Sequence, residues 1–185
     1  IIKILGEERD GKIIANKIVK YRTEKSIKTS EELASIINAA KKKYNNFKKN
    51  PATKTFQAIR IFVNKELTEL ILGLIAATQL LDDGGFLVLV SFHSLEDRIV
   101  KNFFSFHSNL NRNPSRYLPL DKKKFNLFKL PLKKSLMPDE EEISENIRSR
   151  SARLRYAIRD KNSFFYPYEF RKKFENYSKV EEIKL

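Results

Sequence analysis

The sequence has no cysteine, a single methionine and only five glycines among 185 residues. Without cysteine, a disulfide framework, a cysteine-ligated zinc site and a thiol nucleophile are excluded, and a reducing, cytosolic type of compartment is compatible. Among the glycines only Gly84 and Gly85 are adjacent, so no Gly-rich loop stands ready to cradle a phosphate or dinucleotide between strand and helix. Long apolar runs are also missing. The longest, Leu70 to Ala77, falls far short of the roughly 18 residues a membrane-spanning helix needs, and no membrane partner is expected. Acidic charge is in short supply as well: 37 Lys and Arg against 23 Asp and Glu give a net charge of +14. The expected partner is therefore a polyanion, an acidic substrate surface or a nucleic acid, since a neutral metabolite alone does not explain the charge. Residue 1 is Ile, and the first residues read as the end of an apolar helix, so the chain is expected to belong to a longer polypeptide.

Charge divides what is there. Residues 1–50 carry 13 basic and 6 acidic side chains and residues 106–160 carry 13 and 7, whereas residues 51–105 carry 5 and 6. The near-neutral, most apolar stretch is the expected core, flanked by basic segments. Helical spacing predicts a helix from Gly11 to about Glu24. A second follows Thr29, where Thr29 and Glu32 have capping-box spacing ahead of Leu33, Ile36, Ile37 and Ala40. Lys41, Lys42 and Lys43 then suit either the carbonyl end of that helix or a phosphate. Pro51 marks a helix start, and a longer helix runs from about Leu67 to Leu81 until Asp82-Asp83-Gly84-Gly85 stops it.

Phe86-Leu87-Val88-Leu89-Val90 is an uninterrupted β-prone run, expected as an interior strand of a parallel sheet covered by helices. Ser94 opens the next helix with Asp97 as its capping partner, and Ile99, Val100, Phe103 and Phe104 turn inward. Helix, Gly turn, strand and helix together read as one right-handed α/β crossover unit. Residues 109–124 read as a loop. Two weaker strands are expected over Phe125–Leu132 and Ala152–Ile158, with an acidic helix start at Pro138 to Ile143 between them. The aromatic tail, residues 161–185, is expected to pack on its own domain.

Ser91 to Arg98 follow a strand, where ligands of open α/β sheets bind. A hydrolase would use Ser91 or Ser94 with His93, but G-x-S-x-G is absent. A metal site on His93 with Glu96 or Asp97 lacks further ligands. Ser94 and Asp97 as plain helix caps, with His93 on a backbone group, is the structural alternative to ligand contact. Arg60 and Asn64 share a helix face and suit an ion pair or a phosphate grip. Arg148, Arg150, Arg153, Arg155 and Arg159 form the densest arginine set. Either Glu140 to Glu142 neutralise them or a phosphate backbone does.

Pro51-Ala52-Thr53-Lys54-Thr55-Phe56-Gln57-Ala58-Ile59-Arg60-Ile61, Val63-Asn64-Lys65-Glu66-Leu67, Gly84-Gly85 and Ser91-Phe92-His93-Ser94-Leu95-Glu96-Asp97-Arg98-Ile99-Val100-Lys101 closely resemble the bacterial 16S rRNA (cytosine-N4)-methyltransferase family. Ser149 to Arg155 resemble its closing strand. The similarity runs with gaps from about residue 6 to 159. It implies a class I, Rossmann-like methyltransferase domain interrupted by an inserted all-helical substrate-recognition domain: residues 1–50 as the later part of that insert, 51–160 as the second half of the catalytic domain, and 161–185 as an extension beyond the usual family end.

The same resemblance implies methyl transfer from S-adenosyl-L-methionine to N4 of a cytidine in 16S rRNA, with the small ribosomal subunit as partner and a cytoplasmic location. Ser91, His93 and Ser94 are then expected to wall the pocket. RNA contacts are expected from Arg60, Asn64, Arg98, Lys101, Arg148, Arg150, Arg153 and Arg155. The family's cofactor-binding residues lie in an N-terminal half not found in these 185 residues, so no cofactor-binding or metal residue is expected in this chain, and the chain alone is expected to be inactive. Ile147 departs from the family, standing where Pro is common. An isolated chain of this kind would leave the Phe86–Val90 strand without its neighbour, so poor solubility is expected.

Overall fold

A computed structural model of the protein describes residues 1–41, 50–108 and 126–184. In chain order its elements are α1 (Ile2–Leu5), α2 (Gly11–Glu24), α3 (Ser30–Ala40), α4 (Thr53–Asn64), α5 (Glu66–Leu80), β1 (Phe86–Ser91), α6 (Ser94–His107), β2 (Phe128–Lys129), α7 (Glu140–Glu145), a 3-10 turn (Ile147–Ser151), β3 (Arg153–Arg159) and α8 (Tyr168–Glu181). The fold is mixed, with helices and a small antiparallel sheet. It divides into two compact units, Ile1–Thr68 with Asn176–Leu185, and Glu69–Glu175.

The first unit is helical. Thr29 caps α3 as its sequence predicts, its hydroxyl accepting the Glu32 amide at 3.2 Å. Ile14, Ile37 and Ala52 form the buried centre, with Ile18, Leu33 and Phe56 packed around it. A Cβ on Gly6 would stand 2.6 Å from the Ile2 carbonyl oxygen and 2.7 Å from that of Lys54, so the approach of α1 to α4 leaves room for glycine alone. Lys41 stands at the carbonyl end of α3 as its C-cap. Its ammonium is buried against Glu8 at 2.5 Å and donates to the Pro51 carbonyl at 3.1 Å. Burial alone would raise the Glu8 carboxyl, but the hydrogen bonds from Lys41 and the Asp10 amide, with the Lys41 charge, hold it below its ordinary value. Lys42 and Lys43 lie outside the described residues.

In the second unit the strand order is β1-β3-β2, with β3 antiparallel to both neighbours. The expectation for residues 86–90 is corrected here. Among the described residues β1 is a margin strand paired antiparallel, and no parallel neighbour completes a crossover unit. The physical reason is visible in its alternation. Leu87 and Ser91 are buried on the face shared with α6, while Phe86, Val88 and Val90 are 60%, 52% and 52% exposed on the other. An apolar run has two faces to cover, and only one is covered here. Of the strand expected over Phe125–Leu132, Phe125 lies outside the described residues and Phe128–Lys129 form β2; the one expected over Ala152–Ile158 is present as β3.

Gly84, at φ +79°, adopts the left-handed conformation that turns the chain after α5. Its amide donates to the Arg159 carbonyl at 3.0 Å, and the Arg159 amide donates to the Gly85 carbonyl at 2.8 Å. These bonds fix the register Phe86↔Ile158 through Ser91↔Arg153. Ile99, Val100, Phe103 and Phe104 point inward from α6 as their spacing predicts. The tail contributes to this core, with Phe170 buried edge-on against Phe103 at 5.1 Å between ring centres. His107 is buried among Phe103, Phe106, Phe165 and Phe128 at 4.6, 4.9, 5.3 and 6.3 Å. The loop expected over 109–124 lies outside the described residues.

Candidate functional site

The segment after β1 is held rigidly by one carboxylate. The helix α6 begins at Ser94, and its cap is His93, one residue before the expected cap. The His93 Nδ1 accepts the Glu96 amide at 3.4 Å, and Glu96 Oε2 accepts the Phe92 and His93 amides at 2.8 and 3.4 Å. The other Glu96 oxygen lies 3.3 Å from His93 Nε2. Imidazole nitrogen thus does the work of the usual cap oxygen, and the reciprocal bonds make a capping box. Burial would raise the Glu96 carboxyl; the His93 ring and the Phe92 and His93 amides hold it below its ordinary value.

Asp97, expected as a cap partner, instead serves the arginines. It binds the Arg155 fork at 2.7 and 3.2 Å and lies 3.8 Å from Arg153. Neither expected source of neutralisation, the Glu140–Glu142 cluster or a phosphate backbone, is needed for Arg155, whose side chain is 11% exposed. Arg153 remains 45% exposed beside it. Ser91 is buried and donates to the Arg153 carbonyl at 3.3 Å, so its hydroxyl is directed across the sheet and no Ser91–His93 nucleophile pair forms. Ser94, Arg98 and Lys101 are exposed on α6, the last two one turn apart, and Arg148 and Arg150 are exposed on the 3-10 turn.

Arg60 and Asn64 belong to the first unit. Glu66 accepts both arms of Arg60 at 2.8 and 2.9 Å and the Asn64 amide at 3.1 Å. Arg60 is thus ion-paired with Glu66, and 56% of its side chain stays exposed. Glu66 and the Asp97 pairing were not singled out in the sequence, and Glu96 was weighed there only as a metal ligand. Glu96 lies at capping spacing from His93, a signal hidden by the rule that caps carry hydroxyl or carboxylate oxygen.

None of the five glycines stands between the end of a described strand and the start of a helix. The β1–α6 connection, Phe92-His93, has its amides bound to Glu96. The described residues therefore do not fit a nucleoside cofactor held by a glycine cradle.

Comparison with known proteins places these residues among methylases. The chain belongs to the MraW methylase family, whose profile matches residues 1–160. This is the family to which the blocks at 51–64 and 91–101 point. Three similar curated proteins each carry the name ribosomal RNA small subunit methyltransferase H. That of a Ruegeria species is 43% identical over 159 residues, covering 86% of this chain and 48% of the relative. That of Bartonella bacilliformis is 48% identical over 160 residues, with 86% and 48% covered. That of Afipia carboxidovorans is 45% identical over 164 residues, with 88% and 48% covered. The chain thus spans about half the length of the curated relatives it matches.

Proposed function

We propose that this chain is the RNA-gripping portion of an rRNA methyltransferase, acting within a longer enzyme that transfers the methyl group of S-adenosylmethionine to N4 of a cytidine in 16S rRNA of the small ribosomal subunit. The observation that carries this reading is the state of β1. It ends in a rigid polar segment, yet its outer edge is unpaired among the described residues and its Phe86, Val88 and Val90 face is bare. A face of this kind needs a covering layer to be stable in water. The other half of the family's length is the natural source. In that reading the sheet is completed as a Rossmann-like domain, residues 1–50 belong to an inserted helical substrate-recognition domain, and the cofactor is held by residues outside this chain.

Ser91, His93 and Ser94 would then form one wall of the acceptor pocket. His93 and Glu96 keep that wall from moving when a base arrives, and a preset wall loses less entropy on binding. A target base must leave its stack to be modified, so the flanking phosphates need grip. Arg98, Lys101, Arg148, Arg150 and Arg153 are exposed cations suited to that role, and Arg60 with Asn64 form a second group; Arg155 supports the wall through Asp97.

The net charge of +14 also suits a non-catalytic rRNA-binding or ribosome-assembly module. Calorimetry with S-adenosylmethionine on this chain and on the full-length protein separates the two. Binding by the full-length protein alone is expected. Salt-dependent rRNA affinity with no cofactor binding by either protein would favour the module, and binding by this chain alone would overturn the placement of the cofactor site.

A further inference from the structure

We propose that Glu181, in the tail beyond the family match, is a positioning residue: it caps α5 from a distance and so fixes the elbow on which Arg60 and Asn64 stand. The elbow is abrupt. Only Lys65 separates α4 from α5, and it sits in the left-handed region at φ 52° and ψ 38°. A helix start leaves amides without partners, and the residue before it normally supplies an acceptor. Lysine has none.

The acceptor comes from α8 instead. The buried Glu181 carboxylate accepts the Leu67 amide at 3.1 Å and the Thr68 amide at 2.9 Å, and also accepts the Thr68 hydroxyl. The Thr68 hydroxyl lies 3.2 Å from Ser178 Oγ, one helical turn before Glu181. A negative group here also suits the positive end of the α5 dipole. Glu66, the nearer carboxylate, is occupied by Arg60 and Asn64. The two acids divide the labour: Glu66 aims the arginine fork, and Glu181 holds the helix turn that carries Glu66. A fork held in place loses less freedom when it meets a phosphate than a mobile one. The part of this inference that concerns RNA rests on the proposed function.

The test uses the full-length protein and a 16S rRNA fragment, with affinity measured across a salt series at a temperature where every variant is folded. Arg60→Gln is expected to reduce the slope of log affinity against log salt by about one, the loss of one phosphate contact. Glu181→Gln and Thr68→Val are expected to give the same slope change with several-fold weaker binding, and Thr68→Ser to restore both. A normal slope in Glu181→Gln, when Arg60→Gln has lost it, overturns the inference even if the melting temperature falls. A normal slope in Arg60→Gln also overturns it, because Arg60 would not be the group positioned. If the unmodified protein shows no salt-dependent affinity, the RNA reading fails by itself. Amide exchange then decides the capping claim: faster exchange at Leu67 and Thr68 in Glu181→Gln supports it, and unchanged exchange overturns it.

Discussion

Acidification should weaken this fold through His107 before it does so through most carboxylates. The ring is 1% exposed, and neither nitrogen has a hydrogen-bond partner among the described residues. Burial, with a smaller contribution from the Arg159 charge, pushes its pKa down from 6.5 to about 4. The unfolded chain therefore takes up the proton first. The contribution of neutral His107 is whole above pH 6.5, declines as pH falls from 6.5 towards 4, and levels off below that. A tenfold difference in proton affinity between the folded and unfolded chain is worth about 1.4 kcal/mol, so the loss reaches about 2 kcal/mol at pH 5 and about 3 kcal/mol at its floor. His107→Phe keeps an aromatic ring among Phe103, Phe106 and Phe165 and removes the titration. Denaturant unfolding of the full-length protein and this variant at pH 7.5, 6 and 5 should give curves that diverge by these amounts, with the variant the more stable at pH 5. Glu8 and Glu96, held below their ordinary values, lose their contribution only at lower pH. Stability curves that stay parallel between pH 7.5 and 5 would mean that the folded chain protonates His107 as readily as the unfolded one, against everything its burial implies.

Asp97→Asn should cost about 3–5 kcal/mol in denaturant unfolding, because it leaves the Arg155 guanidinium buried without its counter-charge, and adding Arg155→Leu should recover part of the loss. Two glycines should respond with opposite sign. Gly73, in the exposed part of α5, has nothing within 4 Å of the place an alanine methyl group would take, so Gly73→Ala should raise stability by roughly 0.5–1 kcal/mol. Gly84→Ala, at φ +79°, should lower it by about 1–2 kcal/mol. His93→Ala in the full-length protein should cost about 1 kcal/mol as a lost cap and, under the proposed function, slow single-turnover methylation; unchanged methylation and cofactor affinity would remove His93 from the proposed site.

Local patterns were legible in the sequence where a physical signal was confined to a few neighbouring residues. Thr29 with Glu32 announces α3, the Asp82–Gly85 turn ends α5, and the spacing of Ile99, Val100, Phe103 and Phe104 gives the inward face of α6. Two things were not legible. Whether β1 lies inside a sheet or at its margin depends on what covers it, and Phe86 to Val90 would read identically in both places. Pairings across long separations also leave no local trace. Asp97 and Arg155 are 58 residues apart, and Thr68 and Glu181 are 113 apart. His93 does bond a backbone group, as one of the two sequence readings has it, but its role as the cap was not legible, because a ring nitrogen substitutes for the expected oxygen.

The bonds joining Gly84 and Gly85 to Arg159 anchor one end of the β1–β3 ladder. Since side chains alternate sides along a strand, adding or deleting one residue between Gly85 and Ser91 would turn the sheet inside out, sending Leu87 to solvent and Val88 under α6. The same length change before Asp82 would only lengthen or shorten the approach to the turn. Natural variation in chain length should therefore be tolerated on one side of this glycine pair and purged on the other.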